Sequence, residues 1–199
     1  MAMNRRDFLR MSAAFTAAGM LPSLFAATKE QFTIYGAPAM PSVTIAGVAS
    51  GQFKVMMSPS NVGVNLRNQG QQVGMVNILT NGITQLMCKS TPITSPQELV
   101  GKKILVPFKN DMPDIVLQAL LKKLNIDINK VDITYAATPT EAIGLFLLKD
   151  FHAAILPEPM ASAVVQKAKI VGTEIVRGFD LVKEWGQAFN TKPLIPMAG

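Results

Sequence analysis

The sequence predicts an α/β fold of two lobes with mostly parallel sheets. Two observations carry that expectation. Short β-type runs alternate with helical stretches along the chain, the pattern of strands joined by crossover helices. One strand-ending segment also occurs twice. Gln52-Phe53-Lys54-Val55-Met56-Met57-Ser58-Pro59 parallels Asp150-Phe151-His152-Ala153-Ala154-Ile155-Leu156-Pro157. Each copy follows a helical stretch, sets a basic residue after Phe, runs through apolar or small residues and reaches Pro. Two such halves bring two sets of strand ends around a cleft, where ligands of open α/β sheets bind.

The first element is not part of the fold. Asn4-Arg5-Arg6-Asp7-Phe8-Leu9-Arg10 precedes a modestly apolar run, residues 11–25. A charged start, an apolar middle and a small-residue end mark an export signal. Arg5 and Arg6 beside Phe8 and Leu9 resemble a twin-arginine signal, which implies the twin-arginine export machinery as a partner and the periplasm as the destination. The run is too short for a spanning helix, and Gly19 and Pro22 interrupt it. Residues 1–27 form the signal, with cleavage expected near Ala26-Ala27. Leu24 or Phe25 occupies the position that favours a small residue, so the bond itself stays open.

Residues 28–90 are expected to form a first lobe and 91–199 a second. In the first, 32–35 read as a strand ending at Gly36-Ala37-Pro38, and Pro41-Ser42 open a helix that runs to Ser50-Gly51. Residues 53–57 read as a buried strand between Gly51 and Pro59. A helix over 61–68 stops at Gly70, and strands follow over 73–76 and 85–88. The stretch 90–96 is rich in turn and capping residues. There Ser95 and Glu98 have the spacing of a capping box for a short helix. Residues 104–106 form a continuous apolar strand. Ile115, Leu117, Ala119, Leu120, Leu121 and Leu124 give 111–124 a broad helical apolar face. Residues 131–135 alternate as a strand, 140–148 are helical with Thr138 or Thr140 as cap, and 153–156 form the next strand.

Composition narrows the function classes. Apolar residues make up 49% of the chain and charged ones 16%, which excludes a disordered chain. Removing the signal leaves roughly 170 residues, enough for one or two compact domains. The formal charge is +6. Arg5, Arg6 and Arg10 against Asp7 take two of those six with the signal, leaving +4, and no Lys/Arg run longer than two remains. A nucleic-acid partner is not expected, because its electrostatic footprint is missing. Cys88 is the only cysteine, so no internal disulfide forms, and it reads as a small buried hydrophobe. His152 is the only histidine, at the start of an apolar strand. No Ser/His/Asp set and no His/Cys/Asp cluster with metal spacing exists. No catalytic residue, metal or cofactor is therefore expected, and the twelve methionines read as core filling.

The candidate binding residues lie in strand-end loops. Lys109, Asn110, Asp111 and Met112 join a strand to a helix N-terminus, where free N–H groups and the helix dipole suit an anionic or strongly polar ligand. Asp111 and Asp114 would favour an amine instead, and Asp111 can equally serve as the helix cap. Ser58, Ser60 and Asn61 repeat that geometry in the first lobe, able to cap or to bind. Ala39 and Met40 lie in a third loop of this class. Asn81 sits in Thr80-Asn81-Gly82, a turn first and a contact second. Glu158, between two prolines, reads as a ligand acceptor or as a hydrogen-bond partner that closes the lobes.

Several of these stretches resemble a known family. Glu98-Leu99-Val100-Gly101-Lys102-Lys103-Ile104-Leu105-Val106-Pro107 is similar to the "L-x-G-K-x-I-x-V" passage into the second lobe of periplasmic solute-binding proteins of ABC importers. The nitrate, sulfonate/taurine and thiamine-pyrimidine-precursor branch is the one it resembles. Residues 153–159 resemble that branch's "D-A-x-x-x-x-E-P" strand end, and 49–55 its "L-x-S-G-x-x-D-V" helix end. The resemblance implies a two-lobed periplasmic-binding-protein-like fold. It also implies binding of a small polar or anionic solute, with an ABC permease of the inner membrane as partner. A related pyrimidine-synthesising enzyme branch needs a cysteine-rich stretch that this chain lacks. Lys54 and His152 stand where the family usually has Asp. The first lobe is one strand–helix unit short. Residues 195–199 look like the strand that returns the chain to the first lobe, so the fold is expected to be incomplete at the C-terminus. An alternative expectation follows: a repurposed scaffold whose unpaired sheet edge captures a partner without solute uptake.

Overall fold

A computed structural model describes residues 34–35 and 41–198 of the protein. In chain order the elements are β1 (Ile34–Tyr35), α1 (Pro41–Ala49), β2 (Val55–Met56), α2 (Ser60–Asn68), β3 (Thr80–Asn81), β4 (Thr84–Lys89) and β5 (Lys103–Pro107). They continue with α3 (Met112–Lys123), β6 (Asp132–Ala136), α4 (Pro139–Leu148), β7 (Ala153–Pro157), α5 (Met160–Ile170), β8 (Ile175–Arg177), α6 (Leu181–Phe189) and β9 (Pro196–Ala198). Among the described residues no helix is long and apolar enough to cross a membrane.

A five-stranded sheet, ordered β6-β5-β7-β4-β8, organises the C-terminal part. Its parallel half is β6, β5 and β7, and β4 runs antiparallel to both β7 and β8. β4 lies inside this sheet, although the sequence places it on the first-lobe side of residue 90. Side chains alternate between the two faces, as the pleat requires. Leu86, Cys88, Ile104, Val106, Ala153 and Ile155 pack on one side with Leu117, Leu120 and Leu121 of α3. Met87, Leu105, Ala154 and Leu156 pack on the other with Ile143 and Phe146 of α4 and Val164 of α5. A sheet covered on both faces needs apolar residues at every position, which is why these strands read as continuous apolar runs.

Local chemistry sets the helix ends. The Thr138 hydroxyl accepts from Glu141 N–H at 3.1 Å, while Glu141 accepts from Ala137 N–H at 2.8 Å. Thr138, not Thr140, is thus the cap of α4, while Glu141 reaches one residue beyond the cap, to Ala137 N–H, rather than closing a capping box. Asp180 accepts from Val182 and Lys183 N–H at the start of α6, and Asn190 closes that helix in the left-handed region. At residues 95–98 the expected box does not form. Glu98 reaches back to Thr94 N–H and to the Thr94 and Ser95 hydroxyls, but Ser95 makes no side-chain cap bond.

The N-terminal part holds two small sheets. β1 and β2 pair in parallel, and β3 pairs antiparallel with β9. The strand expected over 53–57 shortens to Val55–Met56, because Phe53 N–H bonds to the Gly47 carbonyl in the preceding turn. The strand expected over 73–76 does not form. There Val73 N–H bonds to Gln71, and the Val73 carbonyl accepts from Arg67 Nη1 at 3.0 Å. Those local bonds compete with a sheet ladder, and Gly74 adds no side chain to hold one. Near the end of the described chain β9 pairs with β3, Thr80 opposite Ala198 and Asn81 opposite Pro196.

Candidate functional site

Two helix N-termini face each other across the described chain. The turn before α3 is tightly built: Phe108 and Asn110 both adopt positive φ, at 58° and 62°. Phe108 N–H bonds to the Ala136 carbonyl and Asp111 N–H to the Phe108 carbonyl. Asp114, fully buried, takes three donors: Asn110 N–H at 2.8 Å, Gln118 Nε2 at 2.8 Å and the Tyr135 hydroxyl at 3.0 Å. Its charge also lies in the first turn of α3, where the helix dipole favours an anion. Burial, and then the hydrogen bond to Asp114, push the Tyr135 phenol above its ordinary range.

Asp111 occupies the N-cap position of α3 but makes no side-chain cap bond. Its carboxylate turns away, and Oδ1 accepts from Asn61 Nδ2 at 2.8 Å. Asn61 is the second residue of α2, so an acidic group sits at that helix's positive end. The two strand-end turns singled out in the sequence are therefore joined directly. Asp111 is 7% exposed, a burial that a carboxylate tolerates only with such partners.

Other candidates lie apart. Ser58 is buried and its hydroxyl donates to the Pro59 carbonyl at 3.4 Å; Ser60 opens α2. Lys109 is exposed, with Nζ 5.2 Å from the centre of the Tyr135 ring, and Asn110 is exposed beside it. Met112 is buried with Val116 and Ile195 and packs against Trp185, so it is a core contact rather than a cleft-facing group. Asn81 is an exposed strand residue of β3, not the turn residue the sequence suggests. Asp114, read as an amine-binding candidate, is saturated by protein donors. Glu158 is similarly committed within its own region. Its carboxylate accepts from Ser162 N–H and Oγ, and pairs with Arg177 at 2.8 Å. Burial alone would raise the Glu158 pKa, but the bonds from Arg177 and Ser162 outweigh it and lower it. Ala39, Met40, Arg5, Arg6, Phe8 and Leu9 lie outside the described residues.

Sequence reasoning missed the threonines. Thr84 opens β4 opposite Pro157, is 8% exposed, and its hydroxyl has no partner. Thr80 Oγ1 and Asn61 Oδ1 are likewise buried and unpaired among the described residues. Nothing in the sequence signals Thr84, because its burial depends on the register of β4 against β7. Buried polar atoms left unpaired cost about 1–3 kcal/mol each, so these three stand ready for an outside partner. Burial raises the Cys88 thiol pKa and outweighs the lowering effect of the Ile93 N–H bond that the sulfur accepts, so the thiol stays protonated. Among the described residues no group of three or more metal-ligating side chains converges.

Comparison with known proteins adds family and fold. The NMT1/THI5 like family model matches residues 34–156. A twin-arginine translocation pathway signal matches residues 2–22, as the Arg5-Arg6 pair predicts, so the chain is addressed to the periplasm. No curated protein matches the chain. An ABC transporter structure from Parabacteroides distasonis is similar at 21% identity and a TM-score of 0.56, covering 71% of this chain and 46% of that one. The periplasmic aliphatic sulphonate binding protein of Escherichia coli is similar at 15% identity and 0.52, covering 77% and 56%. An ancestral arginine-binding protein bound to glutamine is similar at 18% identity and 0.52, covering 70% and 58%. The chain thus has a periplasmic-binding-protein-like α/β fold and spans about half the length of the solved structures it matches.

Proposed function

Because the chain belongs to the NMT1/THI5-like family, we propose that it binds a small polar or anionic solute outside the cytoplasm and delivers it to an ABC permease. The observation that carries this reading is the Asn61–Asp111 hydrogen bond at 2.8 Å. It joins the strand-end turns before α2 and α3, the places where open α/β folds hold ligands. Three unpaired buried polar atoms, Asn61 Oδ1, Thr80 Oγ1 and Thr84 Oγ1, support the same reading. Two hydroxyls and an amide oxygen offer both donors and an acceptor. The exposed Lys109 beside that turn adds a positive charge, which favours a solute with a negative or hydrogen-bond-accepting group.

Binding works by differential contact. A solute that satisfies groups on both turns stabilises the joined arrangement over the separated one, and that difference alone shifts the population. The solved structures it resembles are named as binding and transport proteins, which supports binding over a reaction.

The test is native mass spectrometry of protein purified from the periplasm, followed by calorimetry with nitrate, taurine, short alkanesulfonates and pyrimidines. A co-purified small molecule, or saturable binding of one of these, is expected. A chain that binds none and carries none has lost the activity.

One observation favours a second reading, a partner-binding scaffold without uptake. Met75, Val76, Ile78 and Leu79 are exposed together on the unpaired segment after α2, and clustered apolar exposure marks an interaction surface. Size-exclusion chromatography with light scattering separates the two readings: self-association that added solute does not reverse favours the scaffold.

A further inference from the structure

The described residues also form a concave site apart from the Asn61–Asp111 junction. A cavity of about 740 Å3 runs along β2 and the outer face of α2, within the size range of small-molecule pockets. Val55 and Met56 form its floor. Gly63, Val64 and Arg67 recur at helical spacing along one wall, while Met75 and Val76 of the unpaired segment form the other. Its lining includes Ser58, Pro59 and Ser60 but neither Asn61 nor Asp111.

The charge of this site is one-sided. Lys54 and Arg67 line it, and no Asp or Glu does. The sequence explains why: from Gln31 to Gln97 the chain contains no carboxylate side chain at all. Val64, Met75 and Val76 are exposed at 53%, 54% and 92%, so the walls offer apolar surface to an incoming body. Arg67 Nη1 also holds the Val73 carbonyl at 3.0 Å, bridging the two walls. The remaining guanidinium N–H groups stay available for an acid.

From these residues we infer that the α2–β2 groove is a separate binding site for an amphipathic monoanion, a carboxylate on an alkyl body. The head pairs with Arg67 and Lys54, and the chain lies against Val64, Met75 and Val76.

Calorimetry on the mature protein, with decanoate, decan-1-ol and decyltrimethylammonium as probes, tests the inference. Decanoate binds, and the alcohol and the cation bind at least about tenfold more weakly, since a hydrogen bond to a charged group is lost. Gly63→Leu fills the groove without a clash, because no atom lies within 4 Å of the site of an added Cβ. It keeps or raises the melting temperature, as leucine favours a helix over glycine, and it abolishes decanoate binding. Arg67→Glu reverses the preference towards the cation. Equal binding of all three probes, or unchanged decanoate affinity in Gly63→Leu, overturns the inference. So does a dimer in solution that Gly63→Leu dissociates, which would show a second copy covering the groove. None of these results depends on whether solute binds at the Asn61–Asp111 junction, which Gly63→Leu leaves intact.

Discussion

Asn61 and Asp111 stand fifty residues apart in the chain, and one hydrogen bond of 2.8 Å joins them. It forms because Asp111 declines its own helix. The Phe108–Asp111 turn, with two residues at positive φ, is held instead by the Asp114 carboxylate, which accepts from Asn110 N–H just before α3. The Asp111 carboxylate is then released to meet the N-terminus of α2.

A double-mutant cycle should therefore register coupling. Asn61→Ala and Asp111→Ala each lower stability, and the pair is less than additive by about 1 kcal/mol or more, since each single change leaves a buried group unpaired. Urea denaturation of the four proteins reads the coupling. Full additivity would show that the bond contributes nothing in solution.

The buried Asp114 and the half-buried Tyr135 give a pH signature. The Tyr135 phenol titrates above its ordinary range in the folded state because of burial and of Asp114. A raised folded pKa stabilises the fold fully below the unfolded value of about 10 and loses that contribution as pH rises through the folded value. Unfolding free energy should thus fall more steeply above pH 10 in the native protein than in Tyr135→Phe. Parallel curves would place the phenol in solvent.

Much of this was legible beforehand, and the divide is physical. The strands of the five-stranded sheet are covered on both faces, so burial wrote itself into Leu86 to Cys88, Ile104 to Val106 and Ala153 to Leu156 as unbroken apolar runs. The two helix-start turns were readable from Ser58 to Asn61 and from Lys109 to Met112, because capping residue types are local signals. What those side chains touch was not. Asp111 as cap and Glu158 as lobe-closing acceptor were reasonable local readings. Their partners, Asn61 and Arg177, are set by register and packing over long sequence separations. The missing strand at 73–76 failed for a related reason. Apolar content alone cannot tell a paired strand from an extended segment whose carbonyl a nearby Arg67 has captured.

Glu158 offers the opposite pH signature. Burial opposes its ionisation, but Arg177 and Ser162 win and hold the carboxyl below its ordinary value. A depressed folded pKa stabilises the fold above the unfolded value of about 4.5 and loses that contribution as pH falls through the folded value. Arg177→Met should flatten the acid limb below pH 4.5. The partners are 51% and 31% exposed, so solvent screening keeps the effect under about 1 kcal/mol at neutral pH. Acid denaturation followed by circular dichroism measures it, and an unchanged acid midpoint would mark the pair as a surface contact of no consequence.

The junction as a solute site can be tested on one helix. The Asn110→Ala/Asp111→Ala double variant changes the N-terminal turn of α3, and Lys122→Ala/Lys123→Ala changes its last turn. If the turn holds solute, the first variant loses affinity and the second does not, whatever the solute proves to be. Stability must be separated from binding, because alanine at the positive φ of Asn110 and the loss of Asn61's partner both destabilise the fold. Affinity is therefore compared by calorimetry at a temperature where both variants remain folded. A loss confined to the first variant places the solute at the Asn61–Asp111 junction. Equal affinity reduces that turn to a structural tie, and moves the search to the unpaired hydroxyls of Thr80 and Thr84.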